Sequence, residues 1–160
     1  MRRLLRTQQT VRIAKDLHRF GDKVGFEFLQ GELLSIDLDR RLAAACGLCE
    51  LGLRAGVEAI IKNFDGKTNS NKIINALNVY LQKKGADAES RKQVLDFLTS
   101  NLTHRGFQRR AFKVLQRESG IDFGYETARS RRDPKERARE IQRAVRESRA
   151  WWREQKARSK

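Results

Sequence analysis

The sequence predicts an all-α fold, a bundle of short helices with a basic N-terminal helix and a long basic C-terminal helix. No stretch alternates apolar and polar residues for long, so the evidence for strands is weak. Proline occurs once, at Pro134, which suits a mostly helical chain. Apolar residues instead recur three and four positions apart, and glycine follows several of these segments.

These patterns, together with charge, divide the chain into four parts. They are a basic N-terminal arm at 1–25, a helical bundle at 26–120, a linker at 121–132 and a basic C-terminal helix at 133–160. A chain of 160 residues has room for one domain, or for one domain and an appendage.

Helix signals punctuate the first half of the predicted bundle. A short apolar helix or turn is predicted over Phe26–Leu34. Asp39 is predicted to cap a helix that runs to Leu51 and stops at Gly52. A further short helix is predicted over Val57–Phe64.

The second half of the bundle is predicted to contain three amphipathic helices. The first covers residues 70–84, the second is capped by Asp87 and broken by Gly106, and the third ends at Gly120. Their apolar positions recur at helical spacing and are predicted to fill the core. The predicted core residues are Leu77, Leu81, Leu95, Leu98, Phe112 and Leu115.

The last helix has the clearest start signal in the chain. Asp133 can cap it, Pro134 occupies its first position and Glu136 its third, and it is predicted to run to about Lys156. Its apolar positions are too sparse for a core helix, so it is predicted to lie along another surface or to project into solvent. Those positions are Ala138, Ile141, Val145 and Trp152.

The excess positive charge lies at the two ends of the chain. Residues 1–25 hold seven basic and two acidic side chains (+5), 26–104 hold ten of each sign, and 105–160 hold eighteen basic and eight acidic (+10). A neutral middle with basic ends indicates a folded part that contacts a polyanion, either nucleic acid, anionic lipid or an acidic protein.

Arginine predominates over lysine in the C-terminal part, and its planar guanidinium suits phosphate. Trp151 and Trp152 lie beside this arginine series and offer surfaces on which bases can stack. The alternative for Trp152 is that it anchors the helix to the body of the protein. An alternative stays open, in which Glu136, Glu140 and Glu147 pair with the arginines and the helix is merely solvated. The predicted nucleic-acid-binding residues are Arg2, Arg3, Arg6, Arg12, Arg105, Arg109, Arg110, Lys113, Arg129, Arg131, Arg132, Arg139, Arg143, Arg146, Arg149, Trp151 and Arg153.

No motif indicates catalysis. Cys46 and Cys49 form one CxxC pair within a helical run, without the further ligands that zinc needs, and we predict two small buried thiols. Residues 66–68, Gly-Lys-Thr, match the last three positions of the P-loop motif G-x-x-x-x-G-K-S/T. The first glycine of that motif is missing, because position 61 is isoleucine. We therefore expect a non-enzymatic protein without a cofactor, metal or small-molecule substrate.

The N-terminal fifteen residues are rich in arginine and free of acids, which is typical of a mitochondrial targeting segment. The alternative is a basic helix that stays with the protein and touches its partner.

We predict a structural RNA-binding protein of a large ribonucleoprotein, such as a mitochondrial ribosome, with ribosomal RNA and neighbouring proteins as partners. An accessory subunit of an organellar membrane complex is an alternative, although no apolar run is long enough to span a membrane. A cytoplasmic location is the alternative to the mitochondrion.

One segment carries a family resemblance. It contains Leu38-Asp39-Arg40, Leu42, Leu48-Cys49-Glu50, Gly52, Glu58-Ala59 and Ile61-Lys62. In this order, residues 36–64 resemble the core of the MOZART family, small helical proteins of γ-tubulin complexes. The segment departs from the family at 54–56, where Arg-Ala-Gly replaces Asn-Pro-Glu. The resemblance implies a protein-binding adaptor that docks on γ-tubulin complex components.

Overall fold

The computed structural model describes residues 2–66 and 70–158, and for residues 2–8 and 105 it describes the backbone alone. Within these ranges the chain forms α-helices and no strand, which confirms the predicted all-α fold. The helices are α1 (Arg2–Arg19), α2 (Lys23–Glu32), α3 (Leu38–Leu51), α4 (Arg54–Asn63), α5 (Ser70–Gln82), α6 (Ala88–Ser100), α7 (Arg105–Ser119), α8 (Tyr125–Ser130) and α9 (Pro134–Arg158).

The described residues fall into two compact units that divide within α6, between Val94 and Leu95. The predicted bundle at 26–120 is therefore shared between the two units. We describe each unit by itself.

Helix α3 is the centre of the first unit and contacts α1, α2, α4 and α5. Its residues 42–49 are all buried, which is unusual for an amphipathic helix and reflects neighbours on several sides. Asp37, rather than the predicted Asp39, is the N-cap, because its Oδ1 accepts the N–H of Asp39 at 3.0 Å. Gly52 ends the helix with φ 86°, as predicted.

Helix α1 is part of this unit and not a separate arm. Val11 and Ala14 are buried on its inner side and pack with Leu29 of α2 and Ala44 of α3. The boundary drawn at residue 25 on charge therefore differs from the fold, because α1 carries an apolar row as well as its cations.

Small residues bring α3 and α4 close together. A Cβ built on Gly56 would lie 2.4 Å from the backbone N of Cys49 and 2.6 Å from the O of Ala45. The α3 backbone leaves no room for a Cβ at position 56, so this position requires glycine.

Helix α5 confirms its predicted core-facing row, and Asp87 begins α6 as predicted. The buried residues of α5 are Ile73, Ile74, Ala76, Leu77, Tyr80 and Leu81. Asp87 Oδ1 accepts the N–H of Ser90 at 2.8 Å, and its Oδ2 accepts the Tyr80 hydroxyl at 3.0 Å.

The second unit has an aromatic core. Phe107 is fully buried and meets Phe97 edge to face at 5.7 Å, while Phe112 stacks on Tyr125 at 4.4 Å. The predicted break at Gly106 is wrong: α6 ends at Ser100, and Gly106 lies inside the first turn of α7. All six predicted core residues are buried, two in the first unit and four in the second.

Residues 121–132, interpreted from the sequence as a linker, contain helix α8. Phe123, Tyr125 and Ala128 are buried, and α8 contacts both α7 and α9. The segment contributes to the core because Phe123 and Tyr125 pack against Phe112, and Phe123 also contacts Trp151 of α9. The polar residues around them in the sequence conceal this role. Asp133 starts α9 as predicted, with Oδ1 accepting the Lys135 N–H at 2.9 Å.

Among the described helices, none combines the length and the apolar character that a membrane span needs.

Candidate nucleic-acid interface

Helix α9 lies along the second unit with one face buried and one exposed. Its buried residues are Ala144, Val145, Ser148 and Trp152. At about 100° per residue, the opposite face carries Arg139, Arg143, Arg146 and Arg153, and all four side chains are exposed. We call these four residues the outer arginine row; it extends about 21 Å along the helix at 1.5 Å per residue.

A polar contact fixes α9 on the end of α6. The indole Nε1 of Trp152 donates to Asp96 Oδ1 at 2.5 Å, and the Lys156 ammonium donates to the same oxygen at 2.8 Å. A buried tryptophan needs such an acceptor for its N–H. Trp152 therefore anchors the helix on α6, and 8% of its surface stays exposed.

Arg149 is held by the backbone of α6. Its Nε donates to the Thr99 carbonyl at 3.1 Å and its NH2 group to the Ser100 carbonyl at 3.1 Å. These carbonyls have no partner within their own helix, and a cation there also offsets the negative end of the helix dipole. Arg149, predicted as a phosphate ligand, is thus committed to the fold.

An open groove lies between the C-terminal end of α6 and α9, within the second unit. It has a volume of about 730 Å³. Four of its side chains are cationic and two are anionic. It is lined by Asp96, Thr99, Ser100, Arg146, Glu147, Arg149, Ala150, Trp152, Arg153 and Lys156. We call it the α6–α9 groove.

Several predicted site residues pair with carboxylates of the protein, as the open alternative expected. Arg143 contacts Glu147 at 2.7 Å, and Arg109 contacts Glu126 at 3.0 Å. Two longer pairs are Arg129–Glu126 at 3.6 Å and Arg131–Glu136 at 3.5 Å. All of these pairs are about half exposed, so each contributes roughly 0–1 kcal/mol and exchanges readily with another anion.

Five other predicted cations are exposed and form no ion pair with a described carboxylate. They are Lys113, Arg132, Arg139, Arg146 and Arg153. Arg146 and Arg153 also line the α6–α9 groove. The alternative in which acids consume every arginine therefore does not account for α9.

Three of the remaining predicted residues have described side chains, namely Arg12, Arg110 and Trp151. Arg110 is exposed on α7, and Arg12 is exposed on α1 of the first unit. The side chains of Arg2, Arg3, Arg6 and Arg105 lie outside the described part. Trp151 is half-buried, with its ring against Phe123 at 6.1 Å, so only part of its surface is open to stacking.

Two features of the site were missed from the sequence, namely Asp96 and Lys156. The signal that could have found them is the spacing of Trp152 and Lys156, which are four residues apart and therefore share a helix face. An acid on a neighbouring element is the expected partner of such a pair.

The cysteine pair lies in the first unit, away from these cations in sequence. Cys46 and Cys49 are free and buried, as predicted. Burial raises the pKa of Cys46 to about 12 and that of Cys49 well above its usual value, so both thiols stay protonated.

No group of three or more potential metal ligands occurs within residues 2–66 and 70–158. Of the 66–68 tripeptide, Lys67 and Thr68 lie outside the described residues.

Comparison with protein-family models, curated proteins and solved structures found no match to this chain. The resemblance of residues 36–64 to the MOZART family stays a prediction.

Proposed function

We propose that this protein is a structural RNA-binding protein of a large ribonucleoprotein and that it holds RNA phosphates with the outer arginine row of α9. One observation carries the proposal. The inner face of α9 is fixed by burial and by Asp96, while Arg139, Arg146 and Arg153 are exposed without an ion pair to any described carboxylate. A rigid helix that presents arginines at a spacing of three to seven residues is suited to a phosphate backbone.

The acids on α9 do not oppose this function strongly. Among the described residues, Arg143 is the one member of the row with an ion pair, to Glu147. That pair is exposed and weak, whereas each phosphate contact also releases a condensed counterion. RNA is therefore expected to displace Glu147 from Arg143.

The mitochondrial setting depends on the N-terminal sequence, which is basic and acid-free over its first fifteen residues. Within the described part, Val11 and Ala14 of this region are buried in the core of the first unit. If these N-terminal residues direct import, they are expected to stay uncleaved, because the first unit needs Val11 and Ala14 in its core. We propose a mitochondrial ribosome as the assembly and ribosomal RNA as the partner.

The test is RNA affinity as a function of salt. We expect the wild-type protein to lose affinity steeply as salt rises. The triple variant R139Q/R143Q/R146Q should reduce the slope of log K against log salt by about 2 for single-stranded RNA. Fluorescence anisotropy with a labelled RNA measures both quantities.

A matched control is R54Q, because Arg54 is also half exposed and paired, with Glu58 at 2.6 Å, but lies on α4 in the first unit. It should leave the slope unchanged. Circular dichroism of each variant should show an unchanged helix content. Affinity that is absent at low salt, or that does not depend on salt, would contradict the proposal.

A second candidate function is a protein-binding adaptor of the MOZART kind. The observation that favours it is the loop between α2 and α3, where Leu34 is 86% and Ile36 is 100% exposed. Residues 42–49 of α3 are buried, so this part of the helix is not available to a partner. Binding to purified γ-tubulin complex that is lost in the variant L34S/I36S would support this candidate.

A further inference from the structure

We propose that the α6–α9 groove receives an unpaired nucleotide of the bound RNA and that the protein thereby selects single-stranded over duplex segments. The inference rests on the proposed function of α9 and specifies which form of RNA it holds. The lining of the groove brings together cations for phosphate, acceptors for a base and two apolar side chains, all within the second unit.

The cationic side is formed by Arg146 and Arg153. They are seven residues apart, which places them two turns and about 10 Å apart along one flank of α9. Both are exposed and neither has an ion pair with a described carboxylate. Each guanidinium can hold a phosphate through two parallel hydrogen bonds.

The acceptor side is formed by Asp96, Glu147 and the end of α6. Asp96 uses Oδ1 for Trp152 and Lys156, and its Oδ2 has no hydrogen-bond partner among the described residues. Carboxylates accept from exocyclic amino groups, such as that of cytosine. In a duplex these amino groups are paired and lie in a major groove that side chains do not reach.

The size of the groove agrees with this occupant. A volume of about 730 Å³ lies within the range of pockets that hold small organic ligands, so the groove has room for a nucleotide. Its lining includes Ala150 and the exposed part of Trp152, which are suited to the weakly polar part of a base.

The walls of the groove are already fixed. Arg149 is held by two carbonyls of α6, and Trp152 is held by Asp96. A nucleotide therefore enters without an ordering cost for these side chains, which favours binding.

The experiment compares the groove with the rest of the same helix face. Labelled single-stranded and duplex RNA of equal length are titrated with wild type, R146Q/R153Q and the control R139Q, whose arginine lies outside the groove. We expect wild type to prefer the single strand. The groove variant should lose about tenfold or more of its single-strand affinity and much less of its duplex affinity. The control should lower both affinities by the same smaller factor.

A second measurement tests the acceptor side with oligo(C) and oligo(U), because uracil has no exocyclic amino group. We expect wild type to bind oligo(C) more tightly, and equal affinities would overturn the assignment of a base to the groove. If RNA binds but the groove variant and the control behave alike on both forms, this inference is overturned and the proposed function stands. If no RNA binds at low salt, both are overturned.

Discussion

The two units of this protein are packed in different ways and carry different charge. The first buries alanine, glycine and cysteine around α3, and both cysteines of the chain lie there. The second buries aromatic side chains, and both tryptophans lie there. Residues 1–94 hold seventeen basic and eleven acidic side chains, and residues 95–160 hold eighteen and nine.

The difference shows how a charged helix is kept in place. In the first unit the small residues of α3 let neighbouring backbones approach closely, and apolar contact is enough. In the second unit α9 has few apolar residues, so hydrogen bonds from Trp152 and Arg149 to α6 supplement them. Cations that are not needed for these contacts stay exposed.

The largest expected effect is on the aromatic core. Phe107→Ala removes a fully buried ring that contacts Phe97, and should lower the free energy of unfolding by about 3–5 kcal/mol. Tryptophan fluorescence during urea unfolding measures this, because Trp151 and Trp152 both lie in the second unit.

Phe20→Ala is the matched control, since that ring is 89% exposed. It should change the free energy of unfolding by no more than about 0.5 kcal/mol. A cost at Phe20 as large as that at Phe107 would mean that Phe20 is packed in solution.

The next effect is at the close approach of α3 and α4. Gly56→Ala places a methyl group within 2.4–2.9 Å of the α3 backbone and should cost about 1–3 kcal/mol. The reactivity of Cys46 and Cys49 toward a thiol reagent reports opening of this unit and should increase. Gly31→Ala on α2, where a Cβ would meet nothing within 4 Å, should leave the reactivity unchanged.

An effect of similar size is expected at the polar contact that fixes α9. Asp96→Ala leaves the buried Trp152 N–H without its acceptor and should cost about 1–3 kcal/mol. Asp96→Asn keeps an acceptor oxygen and loses only the exposed charge pair with Lys156, so it should cost no more than about 1 kcal/mol. Equal costs for the two variants, measured by urea unfolding, would show that charge and not the indole hydrogen bond matters.

The smallest effect at neutral pH concerns Asp87 at the start of α6. The backbone N–H of Ser90 and the Tyr80 hydroxyl, both hydrogen-bonded to its carboxylate, lower its pKa from 3.8 to about 2. Because this pKa is lower in the folded protein than in the unfolded chain, the ionised carboxylate stabilises the fold at pH values above the unfolded pKa. That contribution is lost as pH falls from about 4 to about 2.

Asp87→Asn keeps a capping oxygen but does not titrate. It should therefore lower the stability at pH 7, where Asp87 is ionised, have little effect at pH 2, and so remove part of the decline between pH 4 and pH 2. Thermal unfolding of both proteins across this range measures the difference. A parallel decline in the two proteins would assign it to other carboxylates.

Local signals in the sequence predicted most of the helices. Gly52 and Gly120 end helices with positive φ, and Asp87 and Asp133 begin them, because these roles depend on the residue and its immediate neighbours. The failures were also local. Gly106 was interpreted as a break although glycine is tolerated in a first helical turn, and Asp39 lies two residues beyond the true cap.

The candidate site was only partly predictable. The spacing of arginines on α9 placed Arg139, Arg146 and Arg153 on one exposed face. It did not show that Arg149, from the same series, turns to the carbonyls of α6. That choice depends on a residue fifty positions away, which periodicity does not detect.

By itself, the sequence determined the all-α class, the core-facing rows and the concentration of cations near the C-terminus, because helix periodicity and charge are properties of neighbouring residues. Only the tertiary structure decided that α1 belongs to a core, that residues 125–130 form a helix against α7 and α9, and which arginines remain exposed. These outcomes depend on contacts between segments distant in sequence, where burial and hydrogen bonding are shared by both partners.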